Sequence, residues 1–160
     1  MEPRHFEIIT KEIGLVGLAD RVAGPLTIGD CIAVRGELGA GKTTFARALV
    51  RALTGDPTHE VPSPTFALRQ DYDTPHGLVV HFDLYRIADP RDLDEIGFVD
   101  ALVRAITIVE WPERAGAELP PAYLDIAIAD GTSADTRVVS VSAKGLAAER
   151  ILHQIQPGSR

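Results

Sequence analysis

The sequence predicts an α/β protein with a mixed, mainly parallel sheet, flanked by helices and carrying antiparallel hairpins. Three observations lead there. A short apolar run, "CIAV", passes through a glycine-rich loop straight into a helical pattern. Strand-like runs then alternate with helical stretches, as they do around a parallel sheet. Two pairs of strand-like runs, each joined by turn residues, add antiparallel pairing.

The elements follow in order. "FEIIT", Phe6 to Thr10, is a short strand. Ile13, Val16 and Leu18 stand near helical spacing in the next stretch, which breaks at Gly24-Pro25. Cys31 to Gly36 is a buried strand ending in glycine. From Lys42 to Leu53 a helix aligns Phe45, Leu49, Ala52 and Leu53, and Thr54-Gly55-Asp56-Pro57 stops it. Pro62 and Pro64 hold an extended loop. "FALRQDYD" and "LVVHFDLY" are strands turned by "TPHG". "DPRDLDEIGFVDALV" is a broken helical stretch with Asp89 as cap and Pro90 in first position. Ala105 to Trp111 is a strand with a charged end. "YLDIAIAD" and "TRVVSVSAKG" make a second hairpin, and "LAAERILHQI" closes the chain as an amphipathic helix that packs on the core. With no repeat or linker, residues 1–160 form one predicted domain.

Composition narrows the classes of function. The net charge of −7 argues against strong autonomous binding of DNA or RNA, which needs a basic face. No window has the length of a membrane span, and "MEPRHFEIIT" lacks a secretory pattern, so the expected compartment is the cytoplasm. Cys31, the single cysteine, reads as a small buried hydrophobe.

"GELGAGKTT", Gly36 to Thr44, fits the phosphate-binding pattern Gly-x-x-x-x-Gly-Lys-Ser/Thr. Gly36, Glu37, Leu38, Gly39, Ala40 and Gly41 form a P-loop whose backbone N–H groups converge on phosphate oxygens. The helix that follows points its N-terminal dipole at the same anion. Lys42 reaches the outer phosphates, and Thr43 offers a hydroxyl to Mg²⁺. The strand before and helix after supply the context that an isolated glycine-rich turn lacks.

Such a loop needs an acid at a neighbouring strand end. Asp83, in "VVHFDLYR", and Glu110, in "ITIVEWPE", both qualify, since ligands of open α/β sheets bind at those ends. The plainer readings are a cap or ion pair to Arg86 for Asp83, and an exposed strand terminus for Glu110. No guanine-recognition segment follows a later strand, so ATP, with ADP as product, is the expected nucleotide. The five histidines show no metal spacing, and His81 reads as a buried, hydrogen-bonded imidazole.

"GELGAGKTTFAR", "PSPTF", "HFDLYR" and "VEWPER", in that order, closely resemble the TsaE family, formerly the YjeE group, over about residues 10 to 140. The resemblance implies a mixed sheet with helices on both sides and a slow Mg²⁺-dependent ATPase. It also implies the partners TsaD and TsaB, which place threonylcarbamoyl on adenosine 37 of tRNA, with tRNA met through that complex. Carried over by position, Thr43 and Glu110 look like the Mg²⁺ ligands, and Asp83 like the Walker-B-type acid. Thr65 lies in a switch-like loop, where it would sense the γ-phosphate or position water. Trp111 is implied to lie near the nucleotide, with Thr10 and Arg137 at the edge of the base or ribose. Tyr85 and Arg86 match the pattern as structural or partner-facing residues. The chain departs from the family in "KEIGLVGLA", which lacks a usual threonine, and in Glu37, where aspartate is frequent. Two rival functions stay open. One is a small-molecule kinase, for which no arginine lid is evident, and the other a nucleotide-gated scaffold.

Overall fold

The computed structural model describes residues 5–157. Residues 1–4 and 158–160 of the predicted domain lie outside them. The strands are β1 (His5–Thr10), β2 (Cys31–Arg35), β3 (Arg69–Thr74), β4 (Gly77–Asp83), β5 (Ile106–Glu110), β6 (Tyr123–Asp130) and β7 (Arg137–Lys144). The helices are α1 (Glu12–Ala23), α2 (Lys42–Thr54), α3 (Phe98–Arg104) and α4 (Leu146–Ile155). One seven-stranded sheet runs β1-β7-β6-β2-β5-β4-β3. Its centre, β6-β2-β5-β4, is parallel. Both hairpins, β3-β4 and β6-β7, are antiparallel, and β1 closes one edge against β7.

The central strands read as continuous apolar runs because both of their faces are covered. On one face Ile32, Val34, Ile108, Leu124 and Ile126 pack beneath α1, α2 and α4. On the other, Val80, Phe82 and Val109 pack with Leu93 and Phe98 beneath α3 and a 3₁₀ segment, Pro90–Ile96. Asp89 caps that segment, its carboxylate accepting the Arg91 N–H at 2.9 Å. Gly97 then takes a left-handed turn into α3, which is why the helical pattern is broken there. α4 buries Ala148, Ile151, Leu152 and Ile155, as its amphipathic spacing predicts. No described helix is long and apolar enough to cross a membrane.

Three local expectations are corrected. The buried face of α1 is Leu15, Leu18, Ala19 and Val22, while Ile13 and Val16 face outward. The sequence offers apolar residues at two phases there, and the 15/18/19/22 set makes the wider stripe. β3 starts at Arg69 rather than Phe66, because Leu68 N–H closes a turn onto the Pro64 carbonyl at 2.6 Å and takes φ +67°. A second 3₁₀ segment, Pro112–Glu118, follows β5 where no element is predicted.

Cys31 begins β2 and is buried. Burial, reinforced by Asp30, pushes its thiol from an ordinary 9.0 up to about 12. The unfolded chain therefore releases this proton first. The stability so contributed is complete below about pH 9 and is lost as pH rises toward about 12. The melting temperature is expected to fall over that window, and less steeply in Cys31→Ala. Iodoacetamide is expected to leave the folded thiol untouched near pH 8 and to alkylate it in denaturant.

Candidate functional site

The parallel register brings three strand ends flush. Val34 of β2 pairs with Glu110 of β5, and Glu110 pairs with Asp83 of β4. The chain leaves β2 through Gly36, where an added Cβ would stand 2.5 Å from the Ile128 carbonyl oxygen. Only glycine passes that close to β6. Gly41 has φ +112° and enters α2 with no side-chain cap. The first-turn amides of α2 are thus left for an acceptor outside the helix, the arrangement that binds anions.

Lys42 is buried, and its Nζ donates to the carbonyl oxygens of Gly36 at 2.6 Å and Glu37 at 2.7 Å. It also stands 4.3 Å from the centroid of the Trp111 ring. Burial pushes this ammonium below the usual lysine range, while Glu110, Asp83, Glu113 and Glu37 pull it back up. Trp111 reaches this position through a left-handed backbone, φ +57°, uncommon for a bulky residue. That turn brings its ring to 4.9 Å from the Tyr85 ring, centroid to centroid, the two planes tilted by 46°.

Two hydroxyl–carboxylate pairs face the loop. Thr43 Oγ1 donates to Glu110 Oε1 at 3.0 Å. Thr65 Oγ1 donates to Asp83 Oδ2 at 3.0 Å and shares a 2.8 Å contact with Ser63 Oγ. The Tyr85 N–H fills Asp83 Oδ1 at 3.0 Å. Glu110 departs from its plainer reading. It is 1% exposed rather than a free terminus. Asp83 accepts the Tyr85 N–H as a strand-end cap, in line with its plainer reading, while the Arg86 guanidinium stands over Phe66 at 5.1 Å. His81 is the buried, hydrogen-bonded imidazole expected of it, its Nε2 standing 2.6 Å from Glu110 Oε2.

These residues enclose a cleft of about 310 Å³. Leu38, Gly39, Gly41, Lys42, Thr43 and Thr44 form one wall, and Thr65, Asp83, Tyr85, Glu110 and Trp111 the other. A second cleft, about 320 Å³, lies across the loop and shares Gly39, Gly41 and Thr44 with the first. Arg137 lines it, donating through Nε to the Ala40 carbonyl at 3.0 Å. Thr10 lines neither cleft; its hydroxyl donates to its neighbour's carbonyl. Lys11 does line the second cleft and pairs with Asp135 at 3.3 Å. That pair joins residues more than a hundred positions apart, and no local signal marks it.

The oxygen donors fit Mg²⁺. It takes one or two protein oxygens and completes its shell with phosphates and water. Thr43 and Glu110 supply two such oxygens at the cleft wall. Among the described residues, no cluster of three His, Cys, Asp or Glu forms a complete cage.

The family model described as "Threonylcarbamoyl adenosine biosynthesis protein TsaE" matches residues 9–139. The chain belongs to the TsaE family. It is 34% identical over 119 residues to the tRNA threonylcarbamoyladenosine biosynthesis protein TsaE of Rickettsia bellii, covering 74% of this chain and 82% of that one. To the TsaE of Aquifex aeolicus it is 41% identical over 107 residues, 67% of this chain and 76% of the other. Its fold is similar to the crystal structure of Bacillus subtilis YdiB, with TM-score 0.77, 26% identity and coverage of 97% and 96%. Membership places this TsaE-family chain in the biosynthesis of threonylcarbamoyladenosine on tRNA.

Proposed function

We propose that this TsaE-family chain is a Mg²⁺-dependent ATPase of the cytoplasm, acting on a TsaD–TsaB complex during tRNA modification. The observation that carries this reading is the convergence of Thr43–Glu110 and Thr65–Asp83 on the mouth of the P-loop. The first cleft would take the phosphates and the second the base and ribose. Lys42 and the first-turn amides of α2 stabilise charge on the phosphates as the terminal bond breaks. Thr43 and Glu110 would hold the metal, which would supply charge neutralisation at the phosphates. Thr65 ties the Pro62–Pro64 loop to Asp83, and this pair would orient the attacking water. The −7 charge fits a chain that leaves most of the tRNA contact to partners.

The test is ATP hydrolysis by the purified chain, alone and with TsaD and TsaB. Slow turnover alone and a clear rise with the pair are expected. Turnover that the pair leaves unchanged, with no co-purification, would remove the partner role and leave the ATPase standing. Absence of hydrolysis under both conditions would remove the ATPase, with binding alone then the working step.

A further inference from the structure

His81 lies on β4 two residues before Asp83, so the strand's period of two puts both on one face of the sheet. Glu110 is next to them on β5, where Asp83 pairs with Glu110 and His81 with Ile108. On that face Val79 and Ile108 belong to the apolar layer under α1 and α2. An imidazole is costly there. His81 is 0% exposed, and its Nδ1 has no hydrogen-bond partner. A leucine would leave no unpaired buried nitrogen, so packing alone does not account for this histidine.

The Nε2 edge accounts for it. Glu110 has two carboxylate oxygens and two partners. Thr43 Oγ1 donates to Oε1 at 3.0 Å, and His81 Nε2 lies 2.6 Å from Oε2. With the proton on Nε2, the bare Nδ1 is an unpaired acceptor, which costs less than an unpaired buried N–H. The imidazole then donates to Oε2, and the carboxylate plane is pinned from both ends.

We propose that His81 is a positioning residue for the metal carboxylate: its Nε2–H fixes Glu110 so that Oε1 faces Thr43 and the cation. The inference rests on the Mg-nucleotide reading of the cleft and assigns the residue that orients the metal ligand from behind. Outer-shell donors of this type typically set about 10- to 100-fold of metal affinity.

Three variants and two binding measurements test it. Mn²⁺ is titrated by electron paramagnetic resonance into the protein–ADP complex, and ADP affinity is measured separately without metal. His81→Leu is expected to weaken Mn²⁺ binding about 10- to 100-fold while metal-free ADP affinity stays unchanged. His81→Gln places an amide N–H close to the lost Nε2–H and is expected to restore most of the affinity. His81→Asn keeps polarity but draws its amide back from Glu110, so it should behave like His81→Leu. It also serves if the leucine variant fails to fold. Wild-type Mn²⁺ affinity in folded His81→Leu or His81→Asn would overturn the proposal and leave the nucleotide reading intact. A wild-type chain that binds ADP but takes up no Mn²⁺ would overturn the proposal and the metal assignment together.

Discussion

Lys42→Ala is expected to lower the ATP hydrolysis rate by about 10²–10³-fold or more, a loss of roughly 3–4 kcal/mol of transition-state stabilisation. Three features make this the largest single effect. Among the described residues, Lys42 is the one cation on the wall of the first cleft, and its charge stands where phosphate charge would develop. Its environment already disfavours the ammonium through burial, with four carboxylates opposing that push. An incoming phosphate would add to the favourable side, so binding and charge stabilisation reinforce each other. Alanine at the first position of α2 keeps the helix, because alanine carries no propensity penalty. Circular dichroism should therefore remain unchanged while turnover disappears. Trp111 provides an internal control. Its ring loses the cation standing 4.3 Å from its centroid, and as the chain's single tryptophan it should report that loss in its emission. A folded Lys42→Ala protein that hydrolyses ATP at the wild-type rate would mean the P-loop is not the active loop.

How far the sequence exposes this site depends on the range of each interaction. The P-loop is legible because its requirements are local. Gly41 needs a left-handed turn, and Lys42 and Thr43 follow in fixed succession. β2, β4 and β5 are legible because burial on both faces demands continuous apolar runs. Asp83 and Glu110 stand out as charges at the ends of such runs. Pairings across the sheet are not legible in the same way. That Glu110 meets both Thr43 and His81 follows from the order β2-β5-β4 and its register, not from any spacing along the chain. The left-handed turn at Trp111 breaks the local preference of a bulky residue and had no signal. It becomes intelligible once the ring is seen between Lys42 and Tyr85. At Thr10 the hydroxyl donates to the Lys11 carbonyl, and it is Lys11 that lines the second cleft, a placement no spacing along the chain marks.

Glu110→Gln is the second large effect, and it separates charge from shape. The carboxylate accepts from Thr43 at one oxygen and from His81 at the other. Glutamine has one acceptor oxygen and one donor group, so it cannot satisfy both incoming protons. If the amide oxygen takes the imidazole N–H, the amide N–H₂ faces Thr43, whose hydroxyl must turn to accept. The Thr43 lone pair then serves the amide instead of a cation. If the amide is reversed, the imidazole must move its proton to Nδ1, which has no partner. An unsatisfied buried donor costs about 1–3 kcal/mol, so the first arrangement wins. The variant is therefore expected to fold, to bind ADP without metal at near wild-type strength, and to lose Mg²⁺-dependent hydrolysis by about 10²-fold. Equilibrium dialysis of ADP with and without Mg²⁺, beside the hydrolysis rate, checks all three. Glu110→Ala is the less informative change. It strips His81 Nε2 of its acceptor as well, so a lower melting temperature would accompany the lost activity. Hydrolysis by Glu110→Gln that still climbs with Mg²⁺ at the wild-type midpoint would move the metal ligand elsewhere. Asp83 would be the next carboxylate to test, since it stands opposite Glu110 on β4 and already holds the Thr65 hydroxyl.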